Sequence, residues 1–397
     1  MDTPSRVAEH LNQMCKIGSR PVGSKANQKA AAYIQKTFLE CGLTIKEQKF
    51  TCPDWHASNT TLLVDKTPLK AEANTFSPSC SITAPCTPVQ TIQELESAVL
   101  TDQIALLYGD LTKKSLAPKE CKVYNPERDQ EIIQLLEDKN PAAIITVAPQ
   151  RGNVLSVIED QDFKIPSATV SPGVGLHIMK TTQPVQLKIV SHRTKSYGSN
   201  IIGTKGSKER IVMCAHFDTK VGTPGAFDNS SGVAVLLTLA GLLAERSINV
   251  EFVAFNDEEY NGLGDYEYVR CKDEFESIRA VINIDGVGHL LGTHSVTIME
   301  NSKAFKKEVS LTKEKYPGIV WVDPWPQSNH STFSERGVPS IAVSSVGVDV
   351  AHSPSDTIER MDSKKLAEVV LFITDILDAI FDKPLGWFRK AKKNVGF

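Results

Sequence analysis

Strands and helices alternate along residues 199–381, and this alternation constrains the fold more than any other feature of the sequence. Apolar runs and helical spacing predict strands at 210–216, 250–256, 280–285 and 338–344 and helices at 230–243 and 362–381. Parallel strands need long crossover connections, which helices normally supply. The pattern therefore predicts an α/β fold with a mixed, mostly parallel sheet that helices flank on both faces.

Two regions of different texture precede this alternation. Residues 5–42 have helical spacing, which a turn containing Gly and Pro interrupts at 18–24. Residues 62–189 contain short apolar runs separated by Pro-rich turns, without catalytic residue types at suggestive spacing. We therefore predict a large domain formed by residues 1–61 and 190–397, with residues 62–189 inserted into it as a small α/β module.

Two polar patches lie between the first predicted strand and the first helix of the alternating region. His216 and Asp218 are two residues apart at the end of the strand, so one can bind a metal ion while the other orients the ring. Asp228 lies just before the helix at 230–243, where Asp also serves as an ordinary N-cap without any metal. Each patch is compatible with a metal site and with a purely structural role.

Three further patches follow later strands. Glu258 and Glu259 come after the strand at 250–256, where one carboxylate can ligate a metal while the other accepts a proton, although acidic surface turns are also common. Asp285 closes the strand at 280–285, where a buried carboxylate without a partner would be costly. His352 lies in a loop before the last helix, where a lone His is usually structural or exposed.

The order and placement of the five patches are more specific than any single patch. The carboxyl ends of the strands line the ligand crevice in open α/β sheets. Three carboxylates and two imidazoles at that edge form a suitable donor set for two zinc ions, with one carboxylate bridging both. The residue types leave cobalt and manganese open as alternatives.

With these five patches in place, the chain resembles the co-catalytic di-zinc aminopeptidases of peptidase clan MH. That superfamily also contains glutaminyl cyclases, glutamate carboxypeptidases and transferrin-receptor-like proteins. The resemblance covers about residues 199–381 and also residues 18–50, where an Arg-Pro-x-Gly-Ser turn precedes a helix. It implies a zinc-exopeptidase fold of the phosphorylase/hydrolase-like type, a peptide substrate, and a protease-associated domain at 62–189.

The resemblance also implies the ligands of the two metal ions. His216 and Asp285 would hold one zinc ion. Glu259 and His352 would hold the other, and Asp228 would bridge the two. The resemblance thus implies two zinc ions per chain.

Further roles and two departures follow from the same resemblance. Glu258 resembles the general base, and Asp218 resembles the acid behind the first zinc-bound His. Many relatives read Ser-Asp-His-x-x-Phe where this chain has Asn329 before His330, which leaves His330 as the polar candidate near the substrate. Gly264-Asp265 stands where Gly-Ser is usual; this added acid either bears on substrate preference or is simply exposed.

Composition and termini bear on partners and location. The net charge of −3 and the pI near 6.3 provide no basic face, so we expect neither a nucleic-acid nor a membrane partner. The first residues lack the apolar run of a signal peptide. The eight scattered cysteines form no CxxC pair, so we expect reduced thiols in a cytoplasmic protein. The oligomeric state stays open.

The expected reaction is hydrolysis of the first peptide bond by metal-activated water, with Glu258 moving the proton. A carboxypeptidase and a glutaminyl cyclase are the alternatives on the same fold. Cyclases keep one zinc and often carry Asp-Ser where this chain has Asp228-Asn229. A metal-free binding protein of the receptor-like branch is a further alternative, but it would lack several of the ligands that are all present here.

Overall fold

The computed structural model describes residues 2–119, 121, 125–148, 156–206, 209–271 and 275–390. The helices are α1 (Thr3–Ile17), α2 (Lys25–Glu40), α3 (Ile92–Ser97), α4 (Glu127–Lys139), α5 (Pro172–Lys180), α6 (Ser231–Leu243), α7 (Leu263–Arg270), α8 (Lys303–Glu314), α9 (His330–Ser334), α10 (Ser363–Ile380) and α11 (Leu385–Phe388). The strands are β1 (Thr44–Val64), β2 (Thr67–Leu69), β3 (Ala71–Ala73), β4 (Cys80–Ala84), β5 (Cys86–Val89), β6 (Ile104–Leu107), β7 (Ala143–Val147), β8 (Ser167–Val170), β9 (Val185–Lys205), β10 (Arg210–His216), β11 (Val250–Phe255), β12 (Ile278–Ile284), β13 (Thr293–Met299), β14 (Val320–Trp321) and β15 (Ser340–Val346).

The chain forms two compact units. The larger unit comprises Met1–Thr51 and Tyr197–Phe397, and the smaller unit comprises Cys52–Ser196. The division falls within the long strands β1 and β9, which run through both ends of the insertion. The domain boundaries predicted at 62 and 189 lie in the same two strands. The predicted insertion is shorter than the smaller unit at both ends, because the pattern of short apolar runs begins after Cys52 and stops before Ser196.

The larger unit is built on a mixed sheet with the strand order β14-β13-β15-β12-β10-β11-β9-β1. Strands β11, β10, β12 and β15 are parallel to one another, whereas β9 runs antiparallel to β11 and β13 runs antiparallel to β15. Strand β14 is parallel to β13. The predicted α/β fold with a mixed sheet flanked by helices is confirmed. The parallel strands are the ones whose ends carry the predicted ligands.

Both faces of this sheet are buried, which explains why its central strands are continuous apolar runs. In β10, Ile211, Met213 and Ala215 pack into a core that includes residues of α1, α2, α6, α8 and α10. Val212 and Cys214 point to the opposite face, where they pack with residues of α7 and α9. Helix α6 crosses the first core, and it carries the segment that follows Asp228.

Among the described residues, one stretch, Ala226–Leu243, has the length and composition of a membrane-spanning helix. Within this stretch, 83% is buried inside the protein, as in the core helix of a globular domain. Burial against the sheet therefore accounts for its apolar composition.

Residues 286–337 contain elements that the sequence patterns do not predict, namely β13, α8, β14 and α9. Strand β13 is buried along most of its length, yet it contains His294, Ser295 and Thr297. Those polar residues interrupt the apolar run that would otherwise indicate a strand. Antiparallel pairing with β15 satisfies the backbone of β13.

The smaller unit is a separate α/β module. Its five-stranded sheet has the order β3-β8-β7-β6-β5, with β5 to β8 parallel and β3 antiparallel at one edge. Ile104 and Leu106 of β6 pack on one face with α5, whereas Ala105 and Leu107 pack on the other with α4. Alternate residues of one strand thus serve two small cores.

Candidate metal centre

Three of the five predicted ligands, His216, Glu259 and Asp285, lie at or just after the ends of three adjacent parallel strands. In the sheet, His216 at the end of β10 pairs with Phe255 at the end of β11. Cys214 of β10 pairs with Asn283 of β12, and Asp285 directly follows the end of β12. Because parallel strands end at the same edge, the turn after β11 and the residue after β12 meet His216 there.

The five predicted ligands form two groups of three that share one residue. His216, Asp228 and Asp285 form the first group, and Asp228, Glu259 and His352 form the second; ligand atoms within each group lie within 4.8 Å of one another. Oδ1 of Asp228 is 3.1 Å from Nε2 of His216, and Oδ2 is 3.0 Å from Nε2 of His352. Nε2 of His216 is also 3.3 Å from Oδ1 of Asp285, and Nε2 of His352 is 3.0 Å from Oε2 of Glu259. One carboxylate therefore faces both groups, as a bridging ligand must.

Burial and clustered charge perturb these groups strongly. Burial alone would lower the pKa of His216, but the surrounding carboxylates, Asp285 foremost, raise it well above its usual value. The pKa of His352 is likewise raised against the effect of burial, chiefly by Glu259. Burial would raise the pKa of Asp228, yet hydrogen bonds from both imidazoles hold it far below its usual range. The carboxylates of the centre therefore stabilise positive charge next to them, whether it is carried by the imidazoles or by a bound cation.

The chemistry of the donor set fits zinc. Zinc in proteins binds His nitrogen and carboxylate oxygen, and its catalytic sites combine these ligand types. Oε1 of Glu259 is buried and has no hydrogen-bond partner among the described residues. A buried carboxylate oxygen without a donor is costly, and a metal ion would satisfy it.

Asp218 lies on the Nδ1 side of the His216 ring. It is completely buried, and its Oδ1 is 3.6 Å from Nδ1 of His216, which is beyond hydrogen-bond distance but within reach of charge attraction. Its two oxygens also accept the backbone N–H groups of Glu258 and Glu259, each at 3.2 Å. Asp218 thus supports the imidazole and the turn that carries both glutamates.

Glu258 lies beside both groups without belonging to either. Its Oε2 is 3.9 Å from Nε2 of His216, farther than the carboxylates of the first group. Burial, together with the negative charges of Asp285 and Glu259, raises the pKa of Glu258 well above its usual value. A carboxylate that takes up a proton readily and stands next to the metal ligands suits a general base.

Asp228 is not the N-cap of α6, which was the structural alternative for this residue. The helix begins at Ser231, and its early N–H group at Gly232 is bonded by Oδ1 of Asn229 at 2.9 Å. Asp228 has extended rather than helical dihedral angles, and its peptide bond to Asn229 is cis. Its carboxylate faces the two imidazoles.

Asp356 holds the segment that presents Asp228, and the sequence patterns assign it no role. Its Oδ1 accepts the N–H of Phe227 at 2.6 Å, and its Oδ2 accepts the N–H of Asp228 at 3.0 Å. It lies four residues after His352, in the patch that the sequence already indicates. The short distance in sequence between Asp356 and His352 is the feature by which Asp356 could have been found.

Arg20 supports the loop that connects the patch of His216 and Asp218 to the patch of Asp228. Like Asp356, it is not among the predicted site residues. Its guanidinium is completely buried and donates to the carbonyl oxygens of Phe217 at 2.5 Å, Pro224 at 3.1 Å and Gly225 at 3.0 Å. The Arg-Pro-x-Gly-Ser turn that carries Arg20 is therefore part of the structure that shapes the centre.

His330 belongs to neither group of ligands. It is completely buried, with Nε2 2.8 Å from the carbonyl oxygen of Trp325 and Nδ1 3.4 Å from Nδ2 of Asn283. Burial lowers its pKa, which favours the neutral ring that donates from Nε2 to Trp325. The structure thus places His330 behind the centre, with both ring nitrogens facing protein groups.

Asp265 and Asn329, the two departures from the family pattern, are in contact. Nδ2 of Asn329 donates to Oδ2 of Asp265 at 2.8 Å, and Oγ1 of Thr332 donates to Oδ1 at 2.5 Å. Asp265 is 2% exposed, so the alternative that it is simply a surface residue is wrong. Burial raises its pKa to about 6 against the effect of these two donors.

Comparison with known proteins shows which family the region around this centre matches. Residues 200–376, which contain all five predicted ligands, match Peptidase family M28. The chain is 25% identical over 394 residues to aminopeptidase YwaD of Bacillus subtilis (strain 168), covering 90% of this chain and 80% of YwaD. It is 25% identical over 306 residues to the probable lipoprotein aminopeptidase LpqL of Mycobacterium tuberculosis, covering 70% of this chain and 57% of LpqL. Its fold is similar to that of BSAP, a zinc aminopeptidase from Bacillus subtilis, with a TM-score of 0.78 at 22% identity over 98% of this chain and 96% of BSAP.

Proposed function

We propose that this chain, whose residues 200–376 belong to Peptidase family M28, is a metallo-exopeptidase that removes N-terminal amino acids from peptides. The observation that carries the proposal is the carboxylate of Asp228, whose two oxygens face two groups of metal-ligating side chains. The relatives YwaD and LpqL are both named aminopeptidases, which supports the same reaction here. We propose that two zinc ions occupy the centre, one in each group.

When bound at this centre, zinc lowers the pKa of water and polarises the carbonyl oxygen of the scissile bond. Glu258 is placed to accept the proton of the attacking water and to deliver it to the leaving amine. Asp218 fixes the backbone of Glu258 and stands behind the ring of His216, so it orients both groups during the reaction. Asp356 and Arg20 keep the loop that presents Asp228 in place.

The names of the relatives support action at a free N-terminus, since YwaD and LpqL are both called aminopeptidases. A free α-amine could be held by a carboxylate of the centre or by a metal ion bound there, whereas a blocked N-terminus offers neither the charge nor the lone pair. We therefore propose peptides with a free first residue as the substrate class.

Two further proposals concern the rest of the chain. We propose that the inserted module at 62–189 is a protease-associated domain, and the sheet of the smaller unit, with helices on both faces, supports this. We also propose a cytoplasmic location, which is supported by unbridged thiols at Cys15, Cys41, Cys80, Cys86, Cys214 and Cys271. The absence of nucleic-acid and membrane partners stays a prediction from the net charge.

The test compares zinc-loaded protein on leucine 4-nitroanilide, N-acetyl-leucine 4-nitroanilide, a peptide with a blocked N-terminus and free carboxyl end, and a peptide that begins with glutamine. We expect cleavage of the first substrate, no cleavage of the two blocked ones, loss of turnover with a strong chelator and recovery with zinc. Release from the free carboxyl end would identify a carboxypeptidase instead. Cyclisation of the glutaminyl peptide with one zinc per chain would identify a glutaminyl cyclase.

A further inference from the structure

Asp265 is a buried carboxylate that the proposed mechanism does not use. It lies in the first turn of α7, and its two oxygens accept hydrogen bonds from Thr332 and Asn329. No Lys, Arg or His of the described part of the chain lies within ion-pair distance of it. A buried carboxylate without a cation is disfavoured, so packing alone does not explain a charged residue here.

Both residues that contact Asp265 belong to the segment that forms α9. Asn329 directly precedes this helix, and Thr332 lies within it. A helix of five residues, His330–Ser334, has too few hydrogen bonds to be stable alone, so its position depends on side-chain contacts. Asp265 therefore anchors α9 at two points on one side.

The other side chains of this short helix hold the turn that precedes it. His330 donates from Nε2 to the carbonyl oxygen of Trp325 at 2.8 Å, and the two rings meet edge to face with centroids 5.2 Å apart. Ser331 donates from Oγ to the carbonyl oxygen of Pro326. The position of the Trp325–Pro326 turn thus follows the position of α9.

The same segment borders the strand that leads to the metal centre. Nδ2 of Asn283 donates to Oγ of Ser328 at 2.8 Å and lies 3.4 Å from Nδ1 of His330. Asn283 precedes Asp285 by two residues along the chain. The half-buried indole of Trp325 is therefore held, through His330, near the group that contains Asp285.

We propose that Asp265 is a positioning residue: through α9 it fixes Trp325 as an apolar wall of the substrate site, which selects peptides with an apolar first side chain. The proposal rests on the aminopeptidase function proposed above. Asp265 itself touches no substrate. Loss of its contacts should weaken the binding of substrates with a large apolar first side chain, without changing zinc content or proton transfer by Glu258.

The central variant is Asn329→Asp, which places a second carboxylate against Asp265 where an amide now donates at 2.8 Å. Like charges at this distance repel, so α9 should shift. We expect KM for leucine 4-nitroanilide to rise about tenfold and kcat to stay within about threefold, with zinc per chain unchanged. KM for glycine 4-nitroanilide should stay within about threefold, because glycine has no side chain to contact Trp325.

The double variant Asp265→Asn with Asn329→Asp re-forms the pair of carboxylate and amide in the opposite direction. It should recover most of the loss in KM, which a general disturbance of the fold would not do. Trp325→Ala should reproduce the selective effect on the leucyl substrate. Glu251→Gln is the matched control, because Glu251 is a buried acid that accepts the hydroxyl of Tyr268 at 2.5 Å in the core between β11 and α7. It should leave the ratio of leucyl to glycyl KM unchanged.

Equal losses for leucyl and glycyl substrates, or loss of zinc in Asn329→Asp, would overturn the proposal in favour of a general structural role. No change in Asn329→Asp and in Asp265→Ala, the second variant, would also overturn it. If the wild-type protein has no peptidase activity, the proposed function fails, and amide hydrogen exchange of residues 328–334 in the zinc-loaded protein then tests Asp265. Faster exchange in Asn329→Asp that the double variant reverses would retain its positioning role, and unchanged exchange would refute it.

Discussion

Replacing Asp228 by Ala tests the shared ligand of the metal centre directly. Asp228 belongs to both groups of three, whereas Asp285 belongs to the first group alone and His352 to the second alone. The Asp228→Ala variant should therefore lose both zinc ions, and Asp285→Ala and His352→Ala should each lose one. The pattern across the three variants is more informative than any one of them.

The size of the effect follows from the contacts of the two carboxylate oxygens. Each lies close to a different imidazole, at 3.1 Å from Nε2 of His216 and 3.0 Å from Nε2 of His352. Replacing groups that merely support metal ligands lowers metal affinity ~10–100-fold. We therefore expect loss of a ligand shared by both groups to lower zinc affinity by at least about 100-fold in each group.

The assay is zinc per chain, measured by elemental analysis after dialysis at a buffered free zinc concentration. At about tenfold above the wild-type Kd, the wild type should be roughly 90% occupied and Asp228→Ala roughly 10% or less. Far-UV circular dichroism checks that each variant is folded. If Asp228→Ala keeps two zinc ions, or loses one as Asp285→Ala does, the shared role of Asp228 is refuted.

Three further predictions follow from the same structure. Glu258→Gln should keep its zinc but lower kcat by about 10²–10⁴-fold, and an active, zinc-loaded variant would remove Glu258 as the base. Arg20→Met should lower the free energy of unfolding in urea by at least about 3 kcal/mol, because each buried carbonyl oxygen that loses its donor costs about 1–3 kcal/mol, and the partly exposed Arg389→Met should cost clearly less. The pKa of Asp265 rises from 3.8 to about 6 on folding, so the metal-free native state binds more protons than the unfolded state between these values. The stability of metal-free protein should therefore fall by up to about 3 kcal/mol as the pH rises through 6, relative to Asp265→Asn, and a rise would contradict the burial argument.

The fold is predictable where apolar periodicity is strong and unpredictable where polar residues are buried. Strand β10 lies at the predicted 210–216, because both of its faces are buried and every position between its ends is apolar. Strand β13 escapes prediction because buried polar residues break its pattern. His294 illustrates the reason: its ring is buried because Nε2 accepts the N–H of Gly288 at 3.0 Å and Nδ1 meets Glu368 at 3.1 Å. Glu368 is 74 residues away from His294 in sequence, so local pattern does not reveal this partner.

The candidate site shows the same division between local and distant information. The five ligands are predictable because each is tied to a strand end or a helix start, and strand ends meet at one edge of a parallel sheet. The supporting roles of Arg20 and Asp265 cannot be predicted from local sequence, because the residues that they contact are far away along the chain. Asn329 lies 64 residues from Asp265, and the two meet only because α7 and α9 cover the same face of the sheet.

The charges of the centre support the proposal that two zinc ions, rather than one, occupy it. Four carboxylates and two imidazoles face one another there: Asp228, Glu258, Glu259, Asp285, His216 and His352. Burial and the neighbouring carboxylates raise the pKa of Glu258 and of Glu259, so four carboxylates are ionised together at this centre only where cations lie between them. Two zinc ions carry four positive charges, which balance four ionised carboxylates beside neutral imidazoles. One zinc ion would leave two negative charges uncompensated in a buried site, which is the electrostatic reason that a one-zinc arrangement suits these residues less well.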